Sequence, residues 1–158
     1  MKNFSIIIPT LNEADNINPL LRQIGAVSQP LGLSPEIIFV DDGSTDPTRQ
    51  YIDAYSGDLQ VRLIRRDTKT GLAGAVVAGA RAASNRHVVV MDADLSHSPH
   101  LIPTLLAPLA AGNYDSVYEQ LFAVAPLLDH VVPPGLAVCM AGGPREPGQR
   151  IVRWRCAG

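Results

Sequence analysis

The sequence predicts an α/β fold, a mostly parallel sheet with helices on both faces. Three observations predict it. Short β-branched runs alternate with longer amphipathic segments up to about Asn113. The runs are apolar throughout, as strands buried on both faces are, and polar clusters follow them directly. A chain of 158 residues is long enough for one core and short for two.

Each element has its own signal. Phe4-Ser5-Ile6-Ile7-Ile8 is a compact strand that ends at Pro9. Asp15 and Asn16 offer N-cap chemistry to a helix whose apolar positions are Ile17, Leu20, Leu21, Ile24 and Val27. Pro30, Gly32 and Pro35 break that helix, and Ile37-Ile38-Phe39-Val40 is the second strand. Asp46 before Pro47 predicts an N-cap and a first helical proline, with the helix running to about Tyr55. Val61 to Ile64 is a third strand, Gly71 to Ser84 a helix of small residues, and Val88-Val89-Val90-Met91 a fourth strand. Ser98-Pro99 opens a last helix towards Ala111. Four strand–helix alternations of this kind place ligands outside the carboxyl ends of the strands.

Composition narrows the function classes. A formal net charge of −2 gives no electrostatic basis for nucleic-acid or anionic-lipid binding by the chain as a whole. Cys139 and Cys156 lack metal-ligand spacing and read as free thiols of a reducing compartment. The apolar run after Lys2 is too short for a signal-peptide core or a membrane span. The expectation is a cytoplasmic protein, either soluble or peripheral on the cytoplasmic face of a membrane.

Three polar clusters follow three strands. Pro9-Thr10-Leu11-Asn12-Glu13 puts a carboxylate just before a helix, where it serves either the helix start or a ligand. In Asp41-Asp42-Gly43-Ser44-Thr45-Asp46, two adjacent carboxylates repel unless something shares their charge. A cation, ribose hydroxyls and base amino groups, or loop amides would each do so. Asp92-Ala93-Asp94 ends the fourth strand, and in extended chain Asp92 and Asp94 project to one side. Hard oxygens so placed suit Mg²⁺ or Mn²⁺, which completes its shell with waters and substrate phosphates. His97 has two readings, a base or a ring packed in the loop beside Pro99.

Ile6–Glu13, Ile38–Asp46 and Met91-Asp92-Ala93-Asp94-Leu95-Ser96-His97 together resemble the three signatures of family-2 glycosyltransferases. The resemblance is closest to the dolichyl- or polyprenyl-phosphate mannosyl- and glucosyltransferase branch. Gly71-Leu72-Ala73-Gly74-Ala75 is similar to that branch's glycine-rich helix start. The resemblance covers about residues 4 to 113. It implies a glycosyltransferase-A (Rossmann-like) fold, a GDP- or UDP-linked sugar donor, and Mg²⁺ or Mn²⁺. It implies inverting transfer to a lipid-phosphate acceptor, with room for a membrane subunit or peripheral membrane contact. Carried over position by position, Pro9, Leu11 and Glu13 would line the base and ribose pocket, and Val40 and Asp42 would hold base and ribose. Asp92, Ala93 and Asp94 would bind ribose, diphosphate and metal, with Asp92 and Asp94 as metal ligands and catalytic carboxylates. Ser96 would contact the donor. Leu11 stands where many relatives carry tyrosine, and Ser96 where they often carry glutamine.

The pattern changes after Tyr114. The relatives' Gly-Ser-Arg type motif is missing after Tyr114-Asp115-Ser116-Val117, and prolines and Arg145, Arg150, Arg153 and Arg155 dominate the rest. We expect a nucleotide-sugar-binding domain over 1–117, with a sheet incomplete at the C-terminus. Residues 118–158 read as an atypical tail from a truncated or frame-shifted gene product, with no clear element after about Val138. The alternative to an active transferase is a donor-binding fragment or module that lacks the acceptor site. An acidic-pair receiver domain fits poorly, because the pair follows the second strand and Asp92-Ala93-Asp94 is left over.

Overall fold

The computed structural model describes residues 2–66, 71–110, 116–118, 137–140 and 152–154. Arg145, Arg150, Arg155 and Cys156 lie outside them. The elements are β1 (Asn3–Thr10), α1 (Ala14–Ser28), β2 (Ser34–Asp41), α2 (Thr48–Asp53), β3 (Gln60–Arg65), α3 (Gly71–Ala82), β4 (His87–Val90), α4 (Ile102–Ala110), β5 (Ser116–Tyr118), β6 (Ala137–Met140) and β7 (Val152–Trp154). Single 3₁₀ turns follow α1 and precede α4.

The sheet order is β3-β2-β1-β4-β6-β5-β7, parallel throughout except for β7, which runs antiparallel to β5. β1 pairs with β2 on one side and β4 on the other. The chain winds outward from β1 to β3 and then returns to start again at β4. The β1–β4 boundary is therefore the topological switch point, where connections leave in opposite directions and open a crevice above the strand ends.

The apolar runs supply both faces. Phe4, Ile6, Ile8, Ile37, Phe39, Val89 and Met91 pack with Ile17, Leu20, Leu21 and Ile24 of α1, Ile52 of α2, and Ile102, Leu105 and Leu106 of α4. The alternate residues Ile7, Ile38, Val40, Val88 and Val90 face α3 through Ala75, Val76 and Ala80. This period-two split is why the strands read as continuously apolar. α3 approaches closely because Gly79 lies over Ile7 and Val40.

Several boundaries differ from the sequence expectation. α1 starts at Ala14 with Glu13 at the N-cap position, so Asp15 lies inside the first turn and does not cap it. The first amides are met from the neighbouring loop: Glu13 N donates to Thr48 Oγ1 at 2.7 Å and Ala14 N to Asp46 Oδ2 at 3.1 Å. Pro47 precedes α2 and does not open it, while Asp46 Oδ1 accepts from Thr48 N at 3.0 Å. The expectation of no clear element after about Val138 is overturned: β6 inserts between β4 and β5, and β7 pairs with β5. Runs of three or four residues are too short to show a period, and their pairing partners are distant in sequence. Among the described residues, no helix is long and apolar enough to cross a membrane.

Candidate functional site

A cleft of about 300 Å³ opens at the switch point, above the carboxyl ends of β1, β2 and β4. Its walls include Pro9, Leu11 and Glu13 from the β1–α1 turn, Asp42 after β2, and Asp92, Ala93 and Asp94 after β4. All three strand-end clusters thus meet in one place, although 79 positions separate Glu13 from Asp92.

Asn12 shapes the first wall. Its backbone is left-handed (φ 59°), a conformation asparagine tolerates better than most residues. Its N–H donates to Ser44 Oγ at 2.8 Å, and its Oδ1 accepts from Thr45 N at 2.8 Å. These bonds join the β1 and β2 loops and hold Leu11 and Glu13 at the cleft. Leu11 is 47% exposed there, opposite Leu72, which is 43% exposed. Glu13 Oε2 also accepts from Asn16 Nδ2 at 2.7 Å.

The structure splits the adjacent pair Asp41 and Asp42. Asp41 is fully buried; its Oδ2 accepts from Gly43 N and Ser44 N at 3.1 Å each and pairs with Arg49. Burial pushes its pKa up, but hydrogen bonds from Ser44, Arg49 and the loop amides outweigh burial and hold it below the ordinary value. It is the carboxylate that caps loop amides. Asp42 faces the cleft instead, with Arg66 Nη1 3.3 Å from its Oδ1. That oxygen has no well-formed hydrogen bond, and neither does the buried hydroxyl of Thr10, which also lines the cleft. Buried polar atoms left this way need a partner, and a ligand's hydroxyls or amides would supply one.

Asp92 and Asp94 form the third wall. Burial is the main cause of the raised pKa of Asp92, opposed by His97 and reinforced by Asp94. Asp94 is lowered, first by hydrogen bonding from the Ser96 side chain and then by the Ser96 N–H, which donates to Asp94 Oδ1 at 2.9 Å. Among the described residues, no group of three or more His, Cys, Asp or Glu could hold a metal ion. The donor set here is two hard carboxylates on one wall. It suits a small divalent cation whose remaining ligands are waters and a substrate's phosphate oxygens.

Two expected contacts are placed elsewhere. Val40 is fully buried against α3 and has no side chain in the cleft, because it belongs to the strand phase that faces the helix. Ser96 is exposed outside the cleft lining and acts on Asp94 through its side chain and its backbone N–H. Sequence reasoning did not assign Thr10, Arg66, Gly71, Leu72 and Ala75. The glycine-rich start of α3 was the signal that could have found the last three. Arg66 carried no such signal.

Solved structures share this architecture. S. aureus TarS in complex with UDP-GlcNAc matches with a TM-score of 0.60 and 26% identity over 75% of this chain and 33% of its own. Glucosyl-3-phosphoglycerate synthase of M. tuberculosis matches in fold, with a TM-score of 0.63 and 20% identity over 92% and 74%. The fold is of the glycosyltransferase-A type. The model for "Glycosyl transferase family 2" matches residues 5–141, and the chain belongs to that family. Among curated relatives, it is similar to the dolichol-phosphate mannosyltransferase of Pyrococcus furiosus, at 42% identity over 69% of this chain and 30% of that protein. The Saccharomyces cerevisiae dolichol-phosphate mannosyltransferase matches at 38% identity over 67% and 40%. The chain therefore spans less than half the length of these relatives.

Proposed function

We propose that the chain provides the nucleotide-sugar donor site of an inverting, metal-dependent glycosyltransferase that acts on a lipid-phosphate acceptor. The convergence of Pro9, Leu11, Glu13, Asp42, Asp92, Ala93 and Asp94 on one switch-point cleft carries this reading. Kinship with dolichol-phosphate mannosyltransferases supports the acceptor class.

In this reading Glu13 and Asp42 accept hydrogen bonds from the nucleoside of a GDP- or UDP-linked sugar, and Leu11 and Leu72 flank it with apolar surface. Val40 lies behind this wall and supports it. Asp92 and Asp94 would hold Mg²⁺ or Mn²⁺ together with the diphosphate. The ion would neutralise charge developing on the leaving group. A phosphate acceptor is already anionic near neutral pH, so its attack needs positioning more than a strong base. The buried ring of His97 is engaged with Asp92, which agrees with a reaction that does not draw on it as a base. The lipid-phosphate acceptor of this reading implies a cytoplasmic protein, either soluble or peripheral on the cytoplasmic face of a membrane, with room for a membrane subunit.

A second reading is a donor-binding module without turnover, favoured by the donor-side origin of every described wall of the cleft. Calorimetry with GDP- and UDP-sugars, with and without Mn²⁺, tests donor binding, and transfer of labelled sugar to a polyprenyl phosphate separates the two readings. Asp94→Ala should abolish the metal-dependent part of binding. Unchanged affinity in the folded variant would sink the metal assignment.

A further inference from the structure

The loop after β4 is closed on itself in a way that the donor reading does not use. The β1–β4 ladder ends where Met91 N donates to Ile7 O at 3.1 Å. The next amide, that of Asp92, has left the sheet and donates to His97 Nδ1 at 2.9 Å. A ring nitrogen that accepts must be unprotonated, so the neutral imidazole carries its proton on Nε2. Nε2 lies 3.5 Å from Asp92 Oδ2. One ring therefore meets both the main chain and the carboxylate of Asp92.

The turn between them is not a relaxed one. Leu95 sits at φ 63°, left-handed backbone that a bulky side chain rarely adopts, with its side chain packed on the core beneath α1 and α4. Strained backbone persists where the surroundings over-determine it. Here three fasteners do so: Leu95 in the core, Ser96 N on Asp94 Oδ1, and the ring of His97, which is 5% exposed. Without the ring, the Asp92 amide loses its partner and the carboxylate loses the ring beside it.

We infer that His97 is a positioning residue that clasps the Asp92 main chain through Nδ1, with Nε2 beside the Asp92 carboxylate, and presents the Asp92–Asp94 pair to the diphosphate and its cation. The inference rests on the donor-site reading and deepens it. Groups that orient metal-binding side chains typically change metal affinity by about 10–100-fold when removed.

The test uses the full chain and measures GDP and UDP affinity with and without Mn²⁺, alongside the thermal midpoint. His97→Leu should weaken Mn²⁺-dependent nucleotide binding by about 10–100-fold and leave metal-free binding unchanged. His97→Asn, whose amide oxygen can stand in for Nδ1, should restore most of the loss. Wild-type metal-dependent affinity in His97→Leu, while Asp94→Ala loses it, overturns the clasp and leaves the donor site intact. A parallel loss of metal-free binding in both His97 variants reduces His97 to a structural residue and also overturns it. If Asp94→Ala itself binds like wild type, the donor-site reading fails and takes the clasp with it. Should His97→Leu not fold, His97→Asn decides alone: near wild-type Mn²⁺-dependent affinity supports the clasp, and a tenfold loss overturns it.

Discussion

Two buried helical glycines should respond to alanine with opposite sign, and the difference can be worked from the geometry. A Cβ on Gly79 would lie 2.5 Å from Ile7 Cγ2, 3.1 Å from Ile7 Cγ1 and 3.2 Å from Val40 Cγ2. Carbon atoms prefer about 3.5–4.0 Å, so the nearest contact is short by roughly 1 Å. Ile7 and Val40 are fully buried and β-branched, with little rotamer freedom, so α3 itself must move. Overpacking of this kind costs about 1–3 kcal/mol, and a contact this close belongs at the upper end. Alanine returns about 1 kcal/mol of helix propensity. Gly79→Ala should therefore lose about 2 kcal/mol and lower the melting temperature by roughly 4–8 °C. A Cβ on Gly25 of α1 would meet only Leu59 Cδ1, at an ordinary 3.8 Å. Gly25→Ala should gain up to about 1 kcal/mol, or roughly 2–4 °C. Gly71, Leu72 and Ala75 line the cleft from the start of α3, so Gly79→Ala should also weaken nucleotide binding, and Gly25→Ala should not. Thermal melts and calorimetry of both variants check this. A melting temperature for Gly79→Ala at or above wild type would refute the packing argument.

Two further outcomes follow from other parts of the molecule. Asn12→Ala should lose about 2 kcal/mol, of which left-handed backbone accounts for roughly half and the Thr45 bond for the rest; Asn12→Gly should recover the backbone share in urea unfolding, and equal losses would mean that strain carries no cost there. Glu36 is buried at the opposite end of the sheet, where it accepts from Ser5 Oγ at 2.7 Å, Ser84 N and Oγ at 2.9 Å each, and Arg62 at 2.7 Å. Burial raises its pKa, but the four bonds outweigh burial and lower it below the ordinary 4.5. Its contribution is then fully present above pH 4.5 and is lost as pH falls through the lowered folded value. Glu36→Gln should be less stable than wild type at neutral pH, with the gap closing below pH 4.5 in denaturant titrations; a gap that widens on acidification would contradict the sign.

The sequence revealed the first four strands and the helices between them because each is long enough to show a period and is bounded by proline, glycine or a cap. It revealed less about direction. Phe39 and Val40 are both apolar in a strand covered on both faces, so nothing in the pattern says which of them lies beneath α3. Val40, carried over from the family resemblance as a base and ribose contact, lies in the core. Capping failed for a related reason: the amides at the start of α1 are satisfied by Asp46 and Thr48 across two loops, not by Asp15 nearby. Local chemistry cannot report a partner more than thirty residues away. The placement of β6 between β4 and β5 was invisible on the same ground.

Asp41 and Asp92 show why motif membership alone does not locate a functional carboxylate. Both belong to acidic clusters at the ends of parallel strands, and burial pushes both pKa values upward. Asp41 is met by Arg49 and by the amides of Gly43 and Ser44, so its charge is balanced within the protein and its pKa falls below the ordinary value. Asp92 is raised mainly by burial; the ring of His97 at 3.5 Å opposes that and Asp94 adds a smaller repulsion, and the balance stays upward. The first arrangement ties Asp41 Oδ2 into its own loop and to Arg49, so that oxygen holds the loop together, although Oδ1 is buried without a hydrogen-bond partner. The second keeps a raised pKa, it faces a cleft, and it lies at the β1–β4 switch point of the sheet. A cation shared with a diphosphate would complete it, and for that reason the metal-dependent part of nucleotide binding, rather than nucleotide binding as such, is the property that variants of Asp92, Asp94 and His97 should move together.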